Sequence, residues 1–352
     1  MKKLPVFLLL ILFLGICEPS AIAAASDEPK IPSMPAAVSS NAVASLQNGL
    51  IIFSMMGVGP KKTWDDISNQ VYVMRLASAK WTTGSAVPGV AGRLGAVAVG
   101  VRGKIFLFGG YILDNQGNQI TVSDVNGYVP EEHRWYRGED IPVPVDSAVI
   151  GLNHDRYIYL VGGRSKSGPV NNVQVYDAVK NSWSQATPLP GTPVFGHAGG
   201  LADDEIVYVD GAMKNPAGGV PYVVSQECWM GKINKKDPDK IEWSKLPMHP
   251  GPAHFGIAAG ALEKDRRIVF SGGSAAFHDF KGVGYDGKPV EASTVTFDFD
   301  VHNSRWETVN ENTFDPRMDG RGILETPIGR LVLGGLVTNT AVTARVQVVP
   351  HK

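Results

Sequence analysis

The sequence has almost no cysteine. Its two are Cys17 and Cys228. Cys17 lies in the N-terminal apolar run, so a chain cleaved behind that run keeps one thiol and no internal disulfide. Packing alone is expected to hold the fold. An excess of charge is also missing. Lys and Arg number 33, Asp and Glu 34, and the net charge is −1. With no long basic run, nucleic acid and anionic membrane surfaces are disfavoured as main partners. Beyond the first residues, no apolar stretch reaches membrane-spanning length. G-x-S-x-G, H-E-x-x-H and phosphate-loop motifs do not occur, so those chemistries have no signature here.

The chain opens with MKKLPVFLLLILFLGICEPSAIAAAS. Lys2 and Lys3 precede an apolar segment from Leu4 to Ile16, followed by small-x-small cleavage sites. This reads as a secretory signal peptide over residues 1–23, cut after Ala23 or Ala25. Lipoprotein processing wants a small residue before the cysteine, and Ile16 stands there. The expectation is a periplasmic or secreted protein, residues 24–352, with no membrane insertion after cleavage.

The 40 glycines and 24 prolines are not scattered. A strand-like run ending in two glycines recurs as KIFLFGG (104–110), YIYLVGG (157–163), RIVFSGG (267–273) and RLVLGGL (330–336). Degraded copies are LIIFSMMG (50–57) and IVYVDGA (206–212). A small-residue strand precedes each run, across a polar turn such as Asn48-Gly49, Arg102-Gly103 or Gly329-Arg330. A further strand and then a tryptophan follow in most units: Trp81, Trp135, Trp183, Trp243 and Trp306. Antiparallel hairpins in a repeat of about 50 residues predict four-stranded blades. Six such units predict an all-β, six-bladed propeller. The sixth unit ends TARVQVVPHK without a tryptophan strand. Residues near 27 to 34 are therefore expected to complete the last blade, leaving no open sheet edge.

Diglycine, Tyr-Asp and Trp at these spacings resemble the kelch repeat over nearly all of residues 24–352. The resemblance implies that the diglycine ends the second strand, where backbone crowds backbone, and that the Trp packs between blades.

Counting back from each diglycine gives one expected position per blade at the entry of the inner strand: Asn41, Arg93, Asp146, His197, His254 and Arg321, with Asp319 two before the last. These should ring one mouth of the central channel. Loops after the diglycines bring Tyr111, Arg164, Lys214 and, from a long loop, His278, Asp279, Lys281, Tyr285 and Asp286. His197, His254 and Asp146 suit proton transfer. Arg93, Arg321, Asp319, Asn41, Arg164, Lys214 and His278 suit ligand binding, with an arginine holding a carboxylate. His197 and His254 have no companion His or Cys nearby in sequence, so neither metal nor cofactor is expected. Cys228 reads as a buried small residue.

Two kelch-propeller families are similar. Galactose oxidases have seven blades and a further domain. No Tyr/Tyr/His/His copper set can be matched, so copper oxidase activity is a remote alternative. Bacterial periplasmic sialic acid mutarotases (N-acetylneuraminate epimerases) share six blades, a signal peptide and closure by an N-terminal strand. IEWSKLP and GRLVLGGL look like their blade segments. Where that family carries an acidic residue, this chain has Ala212, so catalytic residues do not carry over one by one. The two main expectations are a carbohydrate-handling mutarotase-like enzyme and a non-catalytic module binding a glycan or a protein on its loop face.

Overall fold

The computed structural model describes residues 31–89, 92–262, 264–308 and 315–350. The expected signal peptide lies outside them. Among these residues there is no α-helix, and no helix is long and apolar enough to cross a membrane. Six antiparallel sheets follow one another along the chain. Their inner strands are Ala42–Leu46, Val97–Val101, Val149–Asn153, Ala198–Ala202, Ala258–Leu262 and Leu324–Thr326. Each inner strand touches the next, and the sixth touches the first, so the sheets stand as blades around one axis. The result is the expected six-bladed β-propeller.

Within a blade, strands pair in sequence order from the axis outwards. In the third blade, Val149 pairs with Val161, Val161 with Val173, and Val173 with Ala186. Inner strands such as Ala-Val-Ala-Ser-Leu and Ala-Gly-Gly-Leu-Ala are narrow because six of them meet at the axis. The turns after them fall mostly where polar residues foretold them. Gly329 and Arg330 are an exception, since they begin a strand and the turn lies at 327–328.

The core is the set of interfaces between neighbouring blades. Phe53, Leu107 and Tyr128 fill the first, and Phe270, Phe297 and Phe299 fill the fourth. The tryptophans pin these interfaces in one repeated way. The indole N–H of Trp135 donates to Ser85 O, that of Trp183 to Glu139 O, that of Trp243 to Thr187 O, and that of Trp306 to Pro247 O. Each acceptor follows the outer strand of the preceding blade. Trp81 in the first blade donates to Pro32 O, so Pro32 takes the equivalent place behind the sixth blade. That blade has three strands among the described residues. Residues 27–30 of the closing strand expected at 27 to 34 lie outside the described range, and residues 31–34 form no strand. Met34 N nevertheless donates to Ala344 O and Val38 N to Thr343 O, while Met34 and Val38 share a core with Leu331 and Leu333.

The diglycines adopt left-handed backbone. Gly162 and Gly163 have φ of 62° and 102°. In the degraded copies, Met56 and Asp210 hold the first glycine's place at φ 60°.

Candidate functional site

The six inner strands enter the ring through isolated bridges to the segment after each diglycine: Ser39 to Val58, Leu94 to Tyr111, Asp146 to Arg164, Phe195 to Ala212, Phe255 to Ser274, and Met318 to Leu336. These bridges define the true equivalence. Against it, Asp146 lies on the bridge, Arg93 and His254 one before it, Asn41 and His197 two after, and Arg321 three after. The expected single ring of six is therefore corrected: these residues occupy four different levels. Segments of unequal length between diglycine and strand hid the offset.

The residue just after each bridge forms a real ring. Ser40, Gly95, Ser147, Gly196, Gly256 and Asp319 all have φ between 52° and 68°. Ser147 N donates to Gly95 O, Gly196 N to Ser147 O, Gly256 N to Gly196 O and Asp319 N to Gly256 O; Gly95 N reaches Ser40 Oγ. This hydrogen-bonded necklace is the narrow mouth of the channel. Left-handed backbone favours glycine, yet three positions carry side chains. Those three are the ones Arg321 touches. Its guanidinium donates to Ser40 Oγ at 2.9 Å and Ser147 Oγ at 3.1 Å, and lies 2.7 Å from Asp319 Oδ1. Arg321 thus clasps blades one, three and six across the axis.

Above it lie Asp146 and Arg164, whose Nε donates to Asp146 Oδ2 at 3.1 Å. The Arg164 guanidinium also stacks over the rings of Tyr111 and Phe195, at 5.1 and 4.9 Å. His278 descends from the long loop of the fifth blade. Its Nε2 lies 3.6 Å from where a Cβ on Gly256 would stand, which sets the imidazole against that ring position. Its Nδ1 is 2.8 Å from Asp279 O and donates to it, which leaves Nε2 as the bare nitrogen of a neutral ring. Burial holds the His278 imidazolium below its ordinary pKa, and burial raises that of Asp146 against the pull of Arg164. Burial also raises the Tyr111 phenol.

The long loop covers this mouth. Phe277 packs on Phe195, Tyr222 and Phe255, while Phe280 packs against Val58, Leu94 and Tyr111 on the other side. Lys62 Nζ of the first blade donates to Lys281 O and to Thr340 O. Below the clasp, a channel of about 870 Å³ runs between the inner strands towards the opposite face.

Three polar atoms at the mouth are buried without a partner among the described residues: Arg321 Nε, Asp319 Oδ2 and His278 Nε2. Buried polar groups are nearly always satisfied, so such a group calls for a ligand or water. The structure brings together Asp146, Arg164, Asp319, Arg321 and His278. It does not bring the others to them. Arg93 is fully buried between blades, bonded to Asn126 Oδ1, with its pKa lowered by burial to about 10. Asn41 is buried and donates to Ser54 Oγ. The His197 ring lies against Tyr208 and Gly162, and burial pushes its pKa down to about 4. His254 is buried, its backbone N–H donating to Asp210. Lys214 is exposed beside Gly168.

With this geometry in view, the family comparison is decisive. Residues 40–273 match the family model of the KLHDC2/KLHL20/DRC7 Kelch-repeats domain. The chain belongs to the kelch-repeat family. This kelch propeller is 24% identical over 315 residues to the N-acetylneuraminate epimerase of Salmonella arizonae, covering 78% of this chain and 77% of that protein. It is 22% identical to the enzyme of that name from Salmonella typhi, over 90% of this chain and 86% of that one. Kelch-like protein 15 of Gallus gallus is 29% identical over 113 residues, 32% of this chain and 22% of that protein. Among solved structures, that of YjhT superimposes with a TM-score of 0.71 at 18% identity, covering 90% of this chain and 95% of that one, which shows a shared fold.

Sequence reasoning missed His249 and Asp210. Their side chains meet at 2.9 Å, buried next to Cys228, whose thiol is pushed up to about 12 by burial. The available signal was Asp210 itself, standing where the repeat asks for glycine.

Proposed function

We propose that this kelch propeller is a mutarotase-type enzyme acting on a small acidic sugar at the loop-face mouth. The observation that carries this reading is the cluster of unpartnered buried atoms, Arg321 Nε, Asp319 Oδ2 and His278 Nε2. A sugar supplies donors and acceptors to match all three. Likeness to N-acetylneuraminate epimerases supports a sialic-acid-like substrate, whose carboxylate Arg321 would bind through Nε.

Mutarotation needs one base and one acid. His278 Nε2 takes the anomeric O–H proton. Asp146, whose burial favours its protonated form, gives a proton to the ring oxygen. The ring C–O bond breaks, the anomeric carbon becomes a carbonyl, and closure on its other face returns both protons. Two groups pushed by their surroundings in opposite senses divide the roles of base and acid. The loop carrying Phe277 and Phe280 must open for entry, and its closure excludes water. The leader reading places the protein in the periplasm or outside the cell. Thermal-shift screening of the purified protein against neutral and acidic sugars tests the proposal. Stabilisation by acidic sugars, lost in Arg321→Ala, is expected; no response to any sugar would overturn it.

A second reading, a non-catalytic binding propeller, draws on the exposed Trp64, Ile120, Val220 and Tyr285, which all sit on loop-face segments. Sugar binding without any anomer exchange would favour it.

A further inference from the structure

The buried cluster of side chains at the fourth diglycine has the makings of a second site, separate from the mouth. Asp210 replaces the first glycine there and adopts its left-handed backbone, φ 60°. A non-glycine residue in that conformation costs free energy, which often marks a functional constraint. Asp210, Cys228 and His249 are all buried, and one ligand-capable atom from each lies within 4.8 Å of the others. They come from three separate segments: the residue that follows the second strand of the blade, the start of its third strand, and the linker to the next blade.

The hydrogen bonding prepares His249 as a ligand. Its Nδ1 lies 2.9 Å from Pro250 O, to which it donates, and its Nε2 lies 2.9 Å from Asp210 Oδ2. Metal-bound histidines typically donate the other ring N–H to a carbonyl in this way, which fixes the tautomer and turns the lone pair to the ion. The ring is held flat on Phe297, with centroids 4.3 Å apart. Asp210 Oδ1 is buried there without a partner among the described residues. His254 is tied to the cluster, because its backbone N–H donates to Asp210 Oδ2 at 2.8 Å.

We infer that Asp210, Cys228 and His249 form a structural zinc site that pins the fourth blade to the linker of the fifth. Thiolate, imidazole and carboxylate are the ligand set zinc accepts in tetrahedral sites, with a water as the fourth ligand. Charge balances: a dication meets one thiolate and one carboxylate, so the buried site is neutral. The Cys228 S–H proton leaves to solvent as the metal–sulfur bond forms, and no oxidant or reductant is needed.

Elemental analysis of the purified protein, grown with zinc and dialysed, tests this alongside cobalt substitution. The expected result is one zinc per chain. Cobalt should give a thiolate-to-metal charge-transfer band in the near ultraviolet, absent in Cys228→Ser and at least tenfold weaker in His249→Gln. His197→Gln, outside the cluster, should keep the band. The wild-type spectrum decides even if a cluster variant fails to fold. A folded wild type with no stoichiometric metal and no such band would overturn the site. A band that survives in a folded Cys228→Ser protein would do the same.

Discussion

Acid should destabilise this propeller partly through one imidazole, that of His197. Its ring is buried between the third and fourth blades, and its pKa falls from 6.5 to about 4 because burial disfavours the charged form. The unfolded chain therefore binds a proton more readily than the native one between those two values. The contribution is complete above pH 6.5 and is lost as pH falls from there to about 4. A gap of about 2.5 pH units at about 1.4 kcal/mol each amounts to about 3 kcal/mol. The perturbation is His197→Gln, which removes the titration and keeps a polar side chain. The assay is urea unfolding of both proteins at several pH values from about 7.5 to about 4. His254 and His278 are shifted downward by burial too, but they remain in both proteins and cancel in the comparison. Whatever the variant costs near pH 7, its stability difference from wild type should shift by about 3 kcal/mol in the variant's favour by pH 4. Parallel profiles would refute the reasoning and mean that the imidazole charges freely in the native ring.

Other outcomes follow from the same geometry. Arg321→Ala should weaken binding of an acidic sugar by roughly 2 to 4 kcal/mol in calorimetry, since Asp319 and the ligand carboxylate both lose a buried cation. Ser147→Gly should relieve a left-handed serine and raise stability by up to about 1 kcal/mol in urea melts, while costing sugar affinity through the lost bond to Arg321. Deleting residues 26–36 should lower the melting temperature sharply, because Trp81 loses its acceptor at Pro32 and the sixth blade loses Met34; an unchanged melt would show that the ring closes otherwise. Cys228 should resist thiol reagents in the native protein and react on unfolding, because it is buried.

The blades were legible because each repeats three signals that physics imposes together: a small inner strand, a glycine pair and a tryptophan. Even Pro32 follows the rule, standing behind Trp81 as Ser85 stands behind Trp135. The mouth was legible only in part. Asp146, Arg164, Asp319, Arg321 and His278 were named from sequence and meet in space. Arg93, His197 and His254 were placed with them because each polar residue near the entry of an inner strand was taken as equivalent. A shift of one residue in a strand turns a side chain to the other face, and here it sends those side chains between blades. His249 was invisible because its partners, Asp210 and Cys228, are 39 and 21 positions away in the sequence. Nothing local marks a linker histidine as one of three.

The central claim is that the loop-face mouth exchanges sugar anomers with His278 Nε2 as base. Its most direct test is NMR magnetisation transfer between the anomers of N-acetylneuraminate with and without the protein. The account predicts faster exchange with wild type, at least a hundredfold loss in His278→Ala, and little change in His197→Gln. Exchange no faster than in buffer, or undiminished in a folded His278→Ala protein, would contradict it.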